Sequence, residues 1–377
     1  QSETQQFTLT VSCQIGVVCI ETVSLPPALV GFAYDTQLEA LGGDGSGITW
    51  TVESGTLPPG LTLEPSGRIH GTPTAADTVA LLLRAAGGST EATQTYTLQV
   101  VANRTGTYDI TIAPVVPIPA AFVPIVDAAI ARWQSAIVGD LPARSIATGT
   151  FGTGECGGFG QVVNGTAADD IIVLVNIDAI DGRGSVLGFA GPCLIRQPGN
   201  LPIIGVLTLD AVDLGFLSTE AQIALVTHEI GHALGFGSLW DTFDLISASS
   251  TDPRYLGSEA NEEWQAIGGS GQAPIENSGG EGTARSHWRE SVFGRELMTG
   301  FSNTTVFQPL SRMSIASFAD LGYTVNLAAA DAFNPSATMS ASQLERTIDA
   351  APGYDVVYDG VVGRVDATGR LIPRSTP

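Results

Sequence analysis

The sequence predicts a multidomain protein, an all-β sandwich followed by an α/β (α+β) lobe. Three observations predict it. With 377 residues the chain is long enough for two or three domains with their own cores. Between residues 21 and 102, short apolar-alternating runs such as GITWTVES, VALLLRAA and TQTYTLQVV are separated by turn clusters such as GGDGSG and GTLPPGL. That is the pattern of sandwich strands. From Thr107 the period changes: AAFVPIVDAAIARWQSAIV carries Phe122, Val126, Ile130, Trp133 and Ile137 as a helical stripe. DIIVLVNI and LPIIGVLTLD are near-continuous apolar runs that read as buried strands.

Taken in order, residues 1–20 form an N-terminal strand segment. Its run TQQFTLTV (Thr4–Val11) echoes TQTYTLQV (Thr93–Val100); either the two are simply ordinary amphipathic strands, or the first is the closing strand of a lost repeat or a replacement strand docked on the sandwich. Residues 21–102 are the sandwich, and His70 in one of its turns is expected to be structural or solvated. Residues 103–237 form the upper part of the second lobe, with Gly-rich loops carrying Cys156 and Cys193 between its strands. A helix starts near Ser218, where Thr219 and Gln222 can form a capping box. Ile223, Val226, Ile230 and Leu234 give it an apolar face, and Gly235 a stop. Residues 238–330, the lower part, hold the helical candidates SEANEEWQAIG and SRMSIASFADLGY. Residues 331–377 read as a polar linker and tail in which YDVVYDGVVGRVDATGRLI can form a hairpin.

The net charge is −22, and all 16 basic residues are arginine. A field this negative excludes nucleic acid and anionic membranes as partners, and it keeps an extracellular protein soluble and monomeric. No apolar run reaches the roughly 18 residues of a transmembrane segment. No charged-then-apolar leader opens the chain, so Gln1 is expected to be a processed or trimmed start. Four cysteines in two local pairs, Cys13 with Cys19 and Cys156 with Cys193, suit two disulfides in an oxidising, secreted or cell-surface setting. None has C-x-x-C spacing; the residual metal role is a thiol capping the ion in a latent form.

The chemistry concentrates in LVTHEIGHALGFGSLW. His228 and His232, four apart on a helix, point to one face and can hold one ion. Glu229 lies about 100° round and can reach a water at that ion without ligating it. Zinc fits, because it accepts imidazole, has no redox chemistry and acidifies bound water. A third histidine six residues on would complete one common pattern, but Ser238 stands there, and a hydroxyl is a poor zinc ligand. Among four histidines this leaves His287; a carboxylate from Glu259, Glu262 or Glu263 is the rival. Met298 in ELMTGF can lie on a tight turn beneath the metal.

HEIGHALGFGSLW, a long insertion, and then HWRESVFGRELMTGF resemble the leishmanolysin-like metzincins, in which the third histidine is displaced by an insertion. AAIARWQSAIVGDLP, GFAGPCLIR and LPIIGVLTLDAVDL upstream, and PLSRMSIASFADLGYTV downstream, extend the resemblance over roughly residues 107–330. It implies a metzincin, zincin-like catalytic domain with His228, His232 and His287 as zinc ligands, Glu229 as general base and acid, and Met298 as the Met-turn residue. It also implies an extended substrate antiparallel to an edge strand within IIGVLTLD. LPPGLTLEPSGRIHGTPT similarly resembles the immunoglobulin-like repeats of bacterial surface and secreted proteins.

The resulting expectation is a secreted zinc endopeptidase acting on protein or peptide substrates. The alternative is an extracellular adhesion or binding protein whose metalloprotease lobe is accessory or inactive. Beyond zinc, the acidic pairs Asp169–Asp170 and Asp178/Asp181 could hold structural calcium. Asn103, Asn164 and Asn303 are glycosylation acceptors if the host is eukaryotic.

Overall fold

A computed structural model describes residues 16–45, 47–152, 154–184, 186–280, 282–300, 307–335, 354–357, 363–365 and 371–373. The chain divides into two compact units, Gln1–Val101 and Ala102–Pro377. The Thr4–Val11 run, Cys13 and Asn303 lie outside the described residues. Among the described residues no helix is long and apolar enough to cross a membrane.

Among the described residues the first unit has two larger sheets and one two-stranded pairing. One orders Ala28–Leu29, Thr90–Val101, Asp77–Gly87 and Thr49–Ser54; the other orders Tyr34–Gln37, Arg68–Gly71 and Leu61–Leu63. Cys19–Ile20 pairs with Ala40–Leu41. Strand alternation sorts the faces: Leu81, Leu83 and Ala85 are buried from one strand and pack with Ile69, Trp50, Tyr96 and Leu98. The buried tyrosines keep their hydroxyls bonded, Tyr34 to the Pro26 carbonyl (3.1 Å) and Tyr96 to that of Thr22 (2.8 Å). In the turn LPPGL, Gly60 has φ +96°, and any Cβ there would strike the Thr72 carbonyl, so the turn requires glycine. His70 lies against Glu64 at 2.9 Å on the surface.

The second unit is organised by a mixed sheet of β1 (Ile110–Pro114), β2 (Ile171–Asp178), β3 (Val186–Arg196), β4 (Pro202–Asp210), β5 (Tyr354–Val357), β6 (Gly363–Val365) and β7 (Leu371–Pro373). Its order is β1-β2-β4-β3, with β5 and β6 both along the outer side of β3, and β7 beyond β6. The ladders β1–β2 and β2–β4 are parallel, whereas β3 runs antiparallel to β4. All nine residues of β4 are buried. The expectation that a substrate pairs within IIGVLTLD is therefore overturned: β4 is interior, with both edges taken. A continuous apolar run marks a strand covered on both faces, which belongs at a sheet's centre. Cys193 is likewise on a strand, β3, and not in a loop; it is bonded to Cys156 with Cα atoms 5.4 Å apart. Cys19 is also disulfide-bonded.

The longer helices among the described residues are α1 (Val123–Ala136), α2 (Thr219–Ala233), α3 (Ser258–Ala266) and α4 (Arg312–Asp320). Helix α1 takes Pro124 in its first turn, where no intrahelical N–H is needed, and buries Ile125, Val126, Ala129, Trp133 and Ala136. Helix α2 is capped one residue earlier than the capping box predicts. Ser218, still extended, accepts the Ala221 N–H (3.2 Å), and Gln222 instead reaches the Leu214 carbonyl (2.7 Å). Helices α3 and α4 are tied by Asp320, which accepts the N–H groups of Glu259 (2.9 Å) and Ala260 (3.1 Å), and by an Arg312–Glu263 pair at 2.7 Å.

The expected linker starts as a latch. Asp331 and Leu310 exchange backbone and side-chain bonds of 2.9 Å each. Further on, β6 and β7 form an antiparallel hairpin, preceded by β5, which sequence reading did not separate.

Where α2 ends, Gly237 has φ +69°, and a Cβ there would collide with the Ser286 carbonyl. The close approach fixes the chain after α2 against the residue preceding His287. Gly237→Ala is expected to destabilise this unit by about 1–3 kcal/mol, read as a lower denaturation midpoint at unchanged slope.

Candidate metal and catalytic centre

Helix α2 presents His228, Glu229 and His232 into the interior, all at most 2% exposed. His287 arrives from the opposite side and is fully buried. The three Nε2 atoms converge, with separations of 2.8 Å (His228–His232), 2.9 Å (His232–His287) and 3.2 Å (His228–His287).

What fixes them is the other nitrogen of each ring. Nδ1 of His228 contacts the Leu297 carbonyl (2.6 Å), that of His232 the Phe236 carbonyl (2.9 Å), and that of His287 the Thr283 carbonyl (3.0 Å). A carbonyl only accepts, so each Nδ1 carries the proton and each Nε2 is left as a lone pair. Three lone pairs aimed at one point repel, and no ring proton lies between them. A cation at that point turns the repulsion into attraction. Nitrogen donors about 2.0–2.1 Å from a zinc ion lie roughly 3.3 Å apart on a tetrahedron, close to the spacing found. The donor set therefore fits a metal ion, and these three residues could hold one.

Burial favours the neutral, metal-ready rings. It holds His232 well below the usual imidazole range, and the neighbouring rings add to this. Burial first, then His228, push His287 down to about 3.

The rest of the helix is shaped around the same point. Gly188 on β3 lies so close that a Cβ there would be 2.9 Å from Glu229 Oε1. Strand β3 thus runs directly past the glutamate. A Cβ on Gly231 would be 2.9 Å from Met298 Cε and from the Trp133 ring, so Met298 packs under the helix between the two ligand turns. Trp133 also donates its indole N–H to the Thr227 carbonyl (2.7 Å). Ser238, six residues beyond His232, donates to the His232 carbonyl (2.8 Å) and closes the helix end.

The turn carrying Met298 hangs on Glu296, a fully buried carboxylate. One oxygen accepts the Met298 N–H (2.6 Å); the other takes the N–H (3.0 Å) and hydroxyl (2.7 Å) of Ser311 and the hydroxyl of Ser314 (2.5 Å). Burial outweighs these bonds and raises its pKa. Trp288, next to His287, donates to Ser314 (2.8 Å), and its N–H reaches the Met298 carbonyl (3.0 Å).

The sequence motifs thus meet at one place: His228, Glu229, His232, His287 and Met298 are brought together. Gly188, Glu296 and Trp133 were missed as parts of it. A lone acid inside the apolar ELMTGF run was a signal for Glu296; Gly188 had none, because its role exists only through β3. The rival carboxylates lie elsewhere, with Glu263 paired to Arg312 and Glu259 at the start of α3. The acids considered for calcium accept backbone N–H groups: Asp169 from Arg104, Asp170 from Asp109 and Leu141, Asp178 from Ala179, and Asp181 from Val186. Beside α2, a cavity of about 440 Å³ is lined by Ile223, Ala224, Thr227, Leu297, Phe307 and Arg132, among others.

Two family models match parts of the chain. The leishmanolysin family model matches residues 152–255 and 267–348, and a model described as "Putative Ig domain" matches residues 17–101. Leishmanolysin of Leishmania donovani is 26% identical over 189 residues, 46% of this chain and 31% of that protein. A leishmanolysin homolog of Crithidia fasciculata is 26% identical over 45% of this chain and 28% of its own length. The ciliated left-right organizer metallopeptidase of Xenopus laevis is 27% identical over 38% and 23%. The chain spans less than a third of the length of these relatives. Among solved structures, the titin M3 domain overlays 22% of the chain at 15% identity with a TM-score of 0.18, too low to carry an argument.

Two outcomes are expected. Gly188→Ala should crowd Glu229 and lower any hydrolytic rate while metal content stays the same, read by elemental analysis beside an activity assay. The second concerns Glu290, whose carboxyl burial pushes up to about 7, with Thr299 lowering it and Glu276 raising it. Its folded value lies above the ordinary 4.5. Its contribution to stability is thus complete below the unfolded value and lost as pH rises through about 7. Glu290→Gln should gain stability relative to the wild type between pH 6 and 8, read from urea midpoints.

Proposed function

Because the chain is leishmanolysin-like, with an immunoglobulin-like unit ahead of that region, we propose that it is a zinc-dependent endopeptidase of metzincin fold. The observation that carries this reading is the trio of buried, Nδ1-anchored histidines whose Nε2 lone pairs face one another beside a buried glutamate.

His228, His232 and His287 would hold a zinc ion through Nε2. A bound zinc would supply Lewis acidity for a peptide carbonyl and lower the pKa of a coordinated water. Glu229, one residue from the first ligand, takes the proton of the attacking water and hands it to the leaving amine nitrogen. Its burial strips it of competing solvent, and the close approach of Gly188 keeps its carboxylate in place. Met298 and Glu296 position the ligands from below and touch no substrate. The cavity beside α2 supplies an apolar receptacle for one substrate side chain, with Ile223, Ala224 and Leu297 as its walls. A disulfide in the catalytic unit and a strongly negative chain support an extracellular place of action, with protein or peptide substrates.

Glu229→Gln is expected to abolish chelator-sensitive cleavage of an unfolded protein while zinc remains bound one to one; full activity in that variant would refute the mechanism. His287→Ala is expected to strip zinc during dialysis, on the order of 10² or more in affinity, whereas Ser238→Ala should retain it. Unchanged zinc content in His287→Ala would remove His287 from the ligand set.

A further inference from the structure

The outer side of β3 carries the second feature of this centre. Gly188 of β3 is the strand residue against Glu229. An extended peptide whose carbonyl is to reach Glu229 and the histidines must run alongside this strand. Its backbone is then held by the N–H and C=O groups of that edge, as in strand addition generally. The inner edge is paired with β4. The outer edge is the one available to a peptide, and at this level it is taken by the chain itself. β5 pairs parallel with β3, with Val186 opposite Tyr354, Gly188 opposite Asp355, Phe189 opposite Val356, and Ala190 opposite Val357. The ladder's one irregularity falls between Val186 and Gly188, beside the glutamate.

We propose that Tyr354–Val357 is a built-in occupant of the peptide-binding edge, so that the chain's C-terminal segment holds the site closed to extended substrates until it is displaced. The inference rests on the endopeptidase reading for its consequence and on the strand pairing for its geometry. One edge of a strand offers one set of backbone donors and acceptors, so β5 and a substrate strand exclude each other. The occupant is short, four residues, and parallel, the slightly weaker pairing per residue. Displacement is therefore affordable without unfolding the sheet. The segment stays at hand because β6 is anchored further along β3: Leu194, Ile195 and Arg196 pair with Gly363, Arg364 and Val365, and the Val365 carbonyl accepts the Gln197 N–H at 2.7 Å. Val365 is fully buried in the core that also holds Cys193 and Leu194. An anchored strand next to a displaceable one gives a high effective concentration of the occupant.

The test uses the full chain carrying Glu229→Gln, so that binding is read without turnover. Adjacent residues of a strand direct their N–H groups to opposite sides, and proline removes the donor. Asp355→Pro and Val356→Pro, made together, therefore remove one ladder bond whichever residue faces β3. The anisotropy of a fluorescein-labelled unstructured peptide reports affinity, and hydrogen exchange of the Val186–Ala190 amides reports the edge. The expected result is binding tighter by about ten-fold or more, with faster exchange at that edge. A synthetic peptide GYDVVYD added in trans should reverse the gain. Unchanged affinity overturns the proposal in either case. If the edge has opened, the segment does not compete; if it has not, the segment is not what closes it. Chelator-sensitive cleavage by the chain with native Glu229 is scored separately. Its absence would count against the endopeptidase reading and leave the binding comparison intact.

Discussion

Everything at this centre depends on three hydrogen bonds from imidazole Nδ1–H to main-chain carbonyls. They come from Leu297, Phe236 and Thr283, residues of three separate chain segments. Each bond chooses a tautomer, and the three choices together leave the Nε2 lone pairs converging in a water-poor interior. Bringing three such lone pairs together away from bulk water costs free energy, since like dipoles face one another. It persists because the accepting carbonyls belong to three packed segments: the end of α2, the turn before Met298, and the turn before His287. The same arrangement presents three buried, neutral and oriented nitrogen donors that could hold a metal ion.

The positions of those carbonyls trace back to packing. Phe236, Trp240, Tyr255, Trp288 and Phe293 form a continuous aromatic cluster, with ring centroids 4.6 to 5.9 Å apart along its contacts. It joins the end of α2 to the strand-like segment that delivers His287. Glu296 then ties the Met298 turn to the start of α4 through Ser311 and Ser314. A buried carboxylate with four good donors is expensive to desolvate and costly to disrupt. It specifies one arrangement of the turn, and thereby the height of the Leu297 carbonyl under His228.

Much of this was readable from residues alone, for reasons that differ by element. The histidine pair on α2 was legible because a helix converts spacing into direction, so four residues apart means one face. His287 was reached by counting, since only four histidines exist, together with the resemblance that displaces it beyond an insertion. The strands β2 and β4 were legible as apolar runs, but the same feature misled about the peptide edge. Burial on both faces says that a strand is central and cannot say which strand lies beside it. β3 carries Pro192 and three glycines or alanines in GFAGP, so it looks loop-like by composition. Its standing as a strand is given by the ladder to β4 and by the Cys156 bond. β5 was legible only as part of an expected hairpin: its pairing with β3 was not, because four residues without an alternating pattern do not say which edge they join.

The sheet's edge is where these threads meet. A hydrolytic centre that grips substrates by main-chain pairing needs one exposed strand, and an exposed strand is also a template for any extended segment nearby. The two requirements conflict in any protein that must avoid pairing with copies of itself. Covering β3 with a short, parallel, weakly paired strand answers both, because the edge is capped at rest and yields to a longer peptide that gains more bonds. On this view the conflict is solved by the chain's own C-terminal segment at the very residue, Gly188, whose missing side chain brings the strand against Glu229. Catalytic reach and edge protection are then set by one position on one strand.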